Sequence, residues 1–272
     1  MSFTLQGMDM LGIKSELDAA HLNAIRGGLL NAIGIDNFKA TNHGANWVIY
    51  LTCDRVRLWD PTGNTPALAK DIDLSLSLAN SGAGGLDTGS MAADKWYYLW
   101  LIGKCSAGDG VATDVAGLTS LSASSPTMPA GYTHRRLVGV CRTNSSIILK
   151  EFVQIGATWL YQRRQQVVYR TSTIARTTQS LAAFVPSEAL IGLLTYRTYS
   201  PSSTDEAGGG IAVTGTTGEI TNFDSDKVEE SQATVWMPVS GQQFDYRWKE
   251  SAGNNYLYIY CLGFRWPVYK EP

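Results

Sequence analysis

Apolar and polar residues alternate with a period of two along most of the chain, and the clear departure lies at its start. Between Ile13 and Ile33 the apolar positions are Ile13, Leu17, Ala20, Ala24, Ile25, Leu29 and Ile33, a rough stripe that predicts an amphipathic helix. Ser15 can cap it and Asp18 falls in its first turn. Gly27-Gly28 weakens it, and Gly34 is a natural stop. A stripe this short is not stable alone in water, so it must pack on a sheet or on a symmetry-related copy.

Beyond Asn37 the pattern is that of strands. Trp47–Cys53 is apolar on both faces, as a buried strand would be. Arg55–Trp59 alternates and leads into the turn Asp60-Pro61-Thr62-Gly63. Residues 71–78 alternate strictly, with Ile72, Leu74, Leu76 and Leu78 directed inward and acids and serines outward. Further strands are predicted at Lys95–Ile102, Arg136–Cys141 and Ile147–Val153. Later ones follow at Gln166–Arg170, Leu190–Tyr199, Gly210–Thr214, Thr234–Val239, Phe244–Lys249 and Asn255–Trp266. Ser120–Gly131, rich in Ser and Pro, predicts a long surface loop. On a simple count Tyr256, Tyr258, Tyr260, Leu262, Phe264 and Trp266 share one face of the last strand. The opposite face is also apolar, so this strand should be covered twice, once by a core and once by another sheet or subunit.

Short strands punctuated by turns about every ten residues predict a mainly β fold: one short N-terminal helix followed by two β-sandwich-like modules. Lys95–Cys105 (KWYYLWLIGKC) resembles Asn255–Arg265 (NYLYIYCLGFR), as two similar units would. The expected division is an attachment or oligomerisation segment over 1–40, one β module over 41–160 and a second over 161–272.

Composition narrows the function. Charged residues make up 17 %, below the roughly 25 % of an ordinary domain, and 22 Lys and Arg face 24 Asp and Glu. No basic excess is available to neutralise phosphates, so binding to nucleic acid is not expected. No apolar run is long enough for a membrane-spanning helix, and membrane insertion is not expected. The place of charge is taken by 27 Gly, 23 Ser and 24 Thr, with 8 Trp and 13 Tyr. That balance suits turns, solvated strand faces and surface hidden between subunits. Cys53, Cys105, Cys141 and Cys261 form no CxxC pair and lie in or beside apolar strands. They predict four reduced, buried thiols in a protein made in a reducing cytoplasm.

The chain lacks GxSxG, HExxH and paired metal ligands, so no catalytic residue, metal or cofactor is expected. Acidic pairs at Asp71/Asp73, Asp205/Glu206, Asp224/Asp226 and Glu229/Glu230 read as solvated charge, the last three in loops. Sugar binding needs flat aromatic faces beside amides and carboxylates. Gln242–Lys249 holds all of these types, which makes Trp236, Asp245, Tyr246 and Trp248 candidate glycan contacts. Leu17 and Ala24 on the helix, with Tyr256, Tyr258 and Tyr260, are candidate subunit contacts.

Two stretches carry a family resemblance. Leu86-Asp87-Thr88-Gly89 is followed by the aromatic strand 95–102. Pro129-Ala130-Gly131-Tyr132-Thr133 is followed by Arg135-Arg136, Gly139 and Arg142-Thr143-Asn144. This order resembles a module of bacteriophage tail-fibre and virion structural proteins, over roughly residues 40–160. Such proteins are β-rich and usually trimeric. The resemblance therefore implies a non-enzymatic virion component, most simply a homotrimeric tail-fibre or receptor-binding protein joined to other virion proteins through its N-terminal segment. Its partner would be a bacterial surface glycan. A head fibre, decoration or adaptor protein is the structural alternative. A glycan-degrading tailspike is less favoured, because no long repetitive solenoid is present. Arg135 and Arg136, on opposite faces of one strand, are expected to pair with carboxylates.

Overall fold

The alternating stretches at 47–59 and 66–78 form one long hairpin in the computed structural model. The structure describes residues 34–44, 46–63, 65–105, 110–199, 206–226, 230–250 and 255–266. The helix expected over 13–33, with Leu17 and Ala24, lies outside the described residues. What is described is mainly β. The first strands are β1 (Ile35–Asp36), β2 (Lys39–Asn42), β3 (Val48–Trp59), β4 (Pro66–Ser77) and β5 (Gly85–Leu86). They are followed by β6 (Trp96–Lys104), β7 (Thr113–Ser120), β8 (His134–Arg142) and β9 (Phe152–Ile155). Then come β10 (Thr158–Arg170), β11 (Ile174–Ser180), β12 (Ile191–Tyr199) and β13 (Glu206–Ala212). The last are β14 (Thr221–Asp226), β15 (Glu230–Pro238), β16 (Gln243–Glu250) and β17 (Tyr256–Arg265).

They form two sheets. A 13-stranded sheet runs β15-β12-β17-β10-β9-β2-β3-β8-β6-β7-β5, with β1 and β4 also paired to β3, and a four-stranded sheet runs β11-β16-β13-β14. All pairs are antiparallel except β5 with β7. The expected module boundary between residues 160 and 161 falls inside β10, whose first residues pair with β9 while both of its ends pair with β17.

The β3–β4 hairpin shows how local sequence sets this geometry. Ile49, Leu51 and Cys53 point inward on β3, and after Asp54 the inward positions become Val56 and Leu58. On β4 the inward set changes from Leu76 and Ile72 to Ala69 and Ala67, across Asp71 at φ 51°. Both strands therefore change phase at the same level, as a bulge allows. The sequence reads as two strands there because the period breaks. Tyr50 and Thr52 are exposed on the outer side, so this segment is covered on one face only, not on both. The inner face meets β6 and β7: Leu58 fills the space beside Gly103, and Leu51 and Leu76 the space beside Gly117. A side chain at either glycine would push the layers apart.

Trp159 ties the two halves together. Its fully buried ring stacks between Phe152 of β9 at 5.1 Å and Phe264 of β17 at 4.8 Å. Trp96 of β6 and Tyr161 meet it edge-on at 6.1 and 4.5 Å. Its indole N–H donates to the Val140 carbonyl of β8 at 3.0 Å. The segment between β11 and β12 adds polar ties. Trp96 donates to the Ala182 carbonyl, Tyr161 to the Phe184 carbonyl, and Tyr98 to the Glu188 carboxylate. Burial first, then Glu188, pushes the Tyr98 phenol up to about 12. It therefore stays a donor at any ordinary pH.

Several expectations change. Ile174–Ser180 and Thr221–Asp226 are strands although their sequences are polar, so Asp224 and Asp226 lie on β14 and not in a loop. Arg135 donates to the backbone carbonyls of Ser124 and Pro126, closing the Ser/Pro loop, and its guanidinium lies over Trp100. Arg136 donates to the Arg57 carbonyl. Cys53, Cys141 and Cys261 are buried free thiols, whereas Cys105 is half-buried. Burial pushes Cys53 up to about 11 and Cys261 up to about 12.

Replacing Trp159 with Ala removes the ring shared by β6, β8, β9 and β17 and should cost about 3–5 kcal/mol. Equilibrium urea unfolding would show this as a fall in midpoint. A loss below about 1 kcal/mol would mean that the ring is not the joint between the halves.

Candidate binding face

Strands β15, β12, β17 and β10 lie side by side, and their register collects aromatic side chains on one outer face. Tyr256 stands opposite Tyr199, Tyr258 opposite Arg197 and Tyr169, and Tyr260 opposite Thr195 and Gln166. Residues directly opposite on paired strands share a face. The rings form a row. Tyr199 stacks on Tyr256 at 6.2 Å, and Tyr256 on Tyr169 at 6.2 Å. Tyr169 meets Tyr258 at 4.8 Å, and Tyr258 stacks on Tyr260 at 5.9 Å. Tyr169 and Tyr199 are 41 % and 40 % exposed. Tyr260 is covered because the Arg164 guanidinium lies 4.4 Å from its ring centre.

A single-residue bulge at Leu262 changes the phase of β17. Leu193 pairs with Gly263, but the next residue of β12, Leu194, pairs with Cys261. Before the bulge Leu257, Ile259 and Cys261 point inward; after it the inward residues are Phe264 and Trp266. The simple count that put the three tyrosines and Phe264 and Trp266 on one side therefore fails past Cys261. As a result Arg265 joins the outer face, where its guanidinium lies 5.1 Å from the ring of Trp236 on β15. Trp236 is 38 % exposed.

The structure thus brings four sequence candidates together, Trp236, Tyr256, Tyr258 and Tyr260, and separates Asp245, Tyr246 and Trp248 from them, while Leu17 and Ala24 lie outside the described residues. Tyr246 and Trp248 point into the core between the sheets, and neither ring face is open to a ligand. Tyr246 accepts a 2.7 Å hydrogen bond from Arg170 of the large sheet. Their strand β16 alternates Phe244, Tyr246 and Trp248 inward, a pattern that marks core as readily as it marks a site. Tyr169, Tyr199, Arg164 and Arg265 escape a reading of single strands. Only cross-strand register shows that they adjoin the tyrosines of β17.

Asp245 is buried on the opposite side of β16 and acts on the loop between β13 and β14. It accepts from Thr178 at 2.8 Å and pairs with Arg176 at 3.5 Å. Arg176 in turn donates to the carbonyls of Thr217 and Gly218. Glu219 forms a bidentate pair with Arg247 and packs over Gly210, where a Cβ would strike its carboxylate. The residue proposed from sequence as a sugar contact is therefore a clamp on its own loop. Burial raises the Asp245 carboxyl, but hydrogen bonds from Thr178 and the Gly215 N–H, with the Arg176 charge, outweigh it and hold it low. Hydrogen bonding from Arg247, opposed by burial, also holds Glu219 low.

Two other clefts are present. One of about 310 Å³ is lined by Asn144, Lys150, Glu151, Arg163 and Gln165 among others. Lys150 donates to Gln165 there, and burial, then Arg142, lower its ammonium pKa. Arg163 is paired with Glu151 at 3.5 Å. The other, about 220 Å³, is lined by hydroxyls of Thr88, Ser90, Ser122 and Thr127 beside Asp87. Asp87 accepts from the backbone N–H groups of Thr88 and Thr127. Among the described residues no three His, Cys, Asp or Glu side chains cluster as metal ligands. Among them, too, no helix is long and apolar enough to cross a membrane.

No protein-family model and no curated protein matches the chain. Among solved structures it is similar to a Bacillus thuringiensis Cry1Da tryptic core variant, at 9 % identity and a TM-score of 0.25. That likeness covers 84 % of this chain, which spans about half the length of that structure, at 51 %. At such a score it carries no inference about fold or activity.

The two lowered carboxyls stabilise the folded state most fully above the ordinary carboxylate values of 3.8 and 4.5. That contribution is lost as pH falls through the lowered folded values. Asp245→Asn should therefore reduce the steepness of acid unfolding below about pH 4. Thermal melts from pH 7 to pH 2 would measure it, and an unchanged acid limb would remove Asp245 from the account.

Proposed function

We propose that the chain is a non-enzymatic bacteriophage virion component, a homotrimeric tail-fibre or receptor-binding protein that contacts a bacterial surface glycan. The observation that carries this reading is the row of exposed Tyr199 and Tyr169 with half-buried Tyr256 and Tyr258, and Trp236 on the same sheet face. Aromatic rings held flat on a rigid sheet present large apolar area with little side-chain entropy to lose. Sugar rings, with an apolar C–H face and hydroxyl edges, match that surface. Gln166, Gln232 and Thr234 supply hydrogen-bonding groups at the outward register positions beside it.

In this account the chain has two β-sandwich-like modules. The first is built on the stretch that resembles phage tail proteins, and the second on the four-stranded sheet facing β15, β12, β17 and β10. The attachment to other virion proteins, expected over 1–40, is assigned to residues 1–33, because Ile35–Asp36 and Lys39–Asn42 are strands of the large sheet. The competing account is a head fibre, decoration or adaptor protein. It uses the same tyrosines as subunit contacts, since aromatic residues grouped on one sheet face are also what subunit interfaces bury.

Light scattering during size exclusion should give three times the 29.6 kDa chain mass. The labelled protein should bind cells of a susceptible bacterium. Trp236→Ala and Tyr169→Ala should each weaken that binding about tenfold, a loss of about 1.4 kcal/mol, while leaving the trimer intact. Loss of the trimer in these variants would favour the structural account. A monomeric wild-type protein that binds no cell would overturn the proposal.

A further inference from the structure

We infer that the ligand of the aromatic face is an acidic polysaccharide, held where Arg164 lies on Tyr260 and Arg265 lies on Trp236. The inference rests on the glycan-binding reading and adds to it the charge and the length of the glycan. The two guanidiniums sit 4.4 and 5.1 Å from their ring centres. Both arginines are exposed, and among the described residues no carboxylate pairs with either. Arg163, next in sequence to Arg164, differs in pairing with Glu151.

The surroundings match this assignment. The outward register positions of β10, β12 and β17 on this face are Thr158, Leu160, Gln166, Tyr169, Ile191, Leu193, Thr195, Arg197, Tyr199 and the tyrosines. None is acidic. On β15 the single carboxylate position of this face is Glu230, at the far end opposite Tyr199. A guanidinium over a ring and without a carboxylate partner has N–H groups available for a planar two-point bond to a carboxylate or phosphate. The ring also fixes the fork in place, so less rotamer freedom is lost when an anion binds.

Spacing sets the length. Tyr260 and Trp236 lie two strands apart and two residues along. At ordinary sheet spacing their Cα atoms are about 12 Å apart. That spacing suits a polymer rather than a single sugar. A chain that carries anions on separated units meets both arginines by crossing Leu193 and Thr195 of β12, and its continuation past Tyr260 lies over Tyr258 and Tyr256.

Titration calorimetry should use three polymers: polygalacturonate, which bears carboxylates; a glycerol-phosphate teichoic acid; and neutral dextran. The wild-type protein should bind at least one acidic polymer ten or more times more tightly than dextran, and raised salt should weaken that binding. Arg164→Gln and Arg265→Gln should each cut acidic binding at least fivefold. Arg164→Lys should fall between, since it keeps charge but not the planar fork. Melting curves would verify that each variant is folded. Preference for one acidic polymer identifies the anion as carboxylate or phosphate. Equal binding of dextran, unchanged in the glutamine variants, overturns the acidic assignment and leaves the glycan reading standing. A folded trimer that binds none of the polymers overturns this inference, and cell binding in the same preparation decides whether the receptor reading falls with it.

Discussion

The stacking of Trp159 between Phe152 and Phe264 is the contact on which the rest of the structure depends. β9 belongs to the part of the sheet continued by β2 and β3, and β17 to the part continued by β12 and β15. A strand pair alone would hold these parts together through backbone hydrogen bonds, each worth only about 1 kcal/mol net. The indole adds apolar burial on both faces and a hydrogen bond to β8, so β8, β9 and the distant β17 meet on one ring. The twist that separates the two parts of the sheet must be compatible with that stack.

Around this joint the chain uses irregular pairing to aim side chains. β10 advances from Leu160 to Gln165 while β17 advances only from Gly263 to Cys261. The surplus on β10 carries Tyr161 into the core and Arg164 onto Tyr260. On β17 the bulge at Leu262 sends Phe264 into the stack and Arg265 outward. The same two irregularities therefore build both the centre of the molecule and its arginine-bearing outer face. Straightening either would move an aromatic residue out of the core and a guanidinium off its ring.

Much of this architecture was legible in the sequence, and what was not has physical causes. Residues 71–78 read correctly because Ile72, Leu76 and Leu78 are buried beside exposed Asp73 and Ser75, a regular half-covered strand. The strand predicted at Lys95–Ile102 is present as β6, buried on both of its faces. β11 and β14 were missed because polar strands near the edge of a sheet carry no apolar signal; their pairing with β16 and β13 places them. The aromatic face was half legible. Its tyrosines on β17 stood out, but Tyr169, Tyr199 and the arginines depend on register, which one strand alone does not reveal. Asp245, Tyr246 and Trp248 were grouped as a site because a strand that alternates aromatic and polar residues looks alike whether its rings face a ligand or a core.

The central place of β17 also bears on how the molecule is made. This strand follows the sixteen others in chain order, yet it lies between β10 and β12 with partners on both sides. Until it is synthesised, β10 and β12 present long unpaired edges, and Trp159 lacks one of its two stacking rings. Closure of the large sheet must wait for a segment that arrives late and pairs with residues nearly 100 positions earlier, as Tyr169 with Tyr258 illustrates. Such distant pairing makes folding slow and leaves the nascent chain open to pairing with other copies.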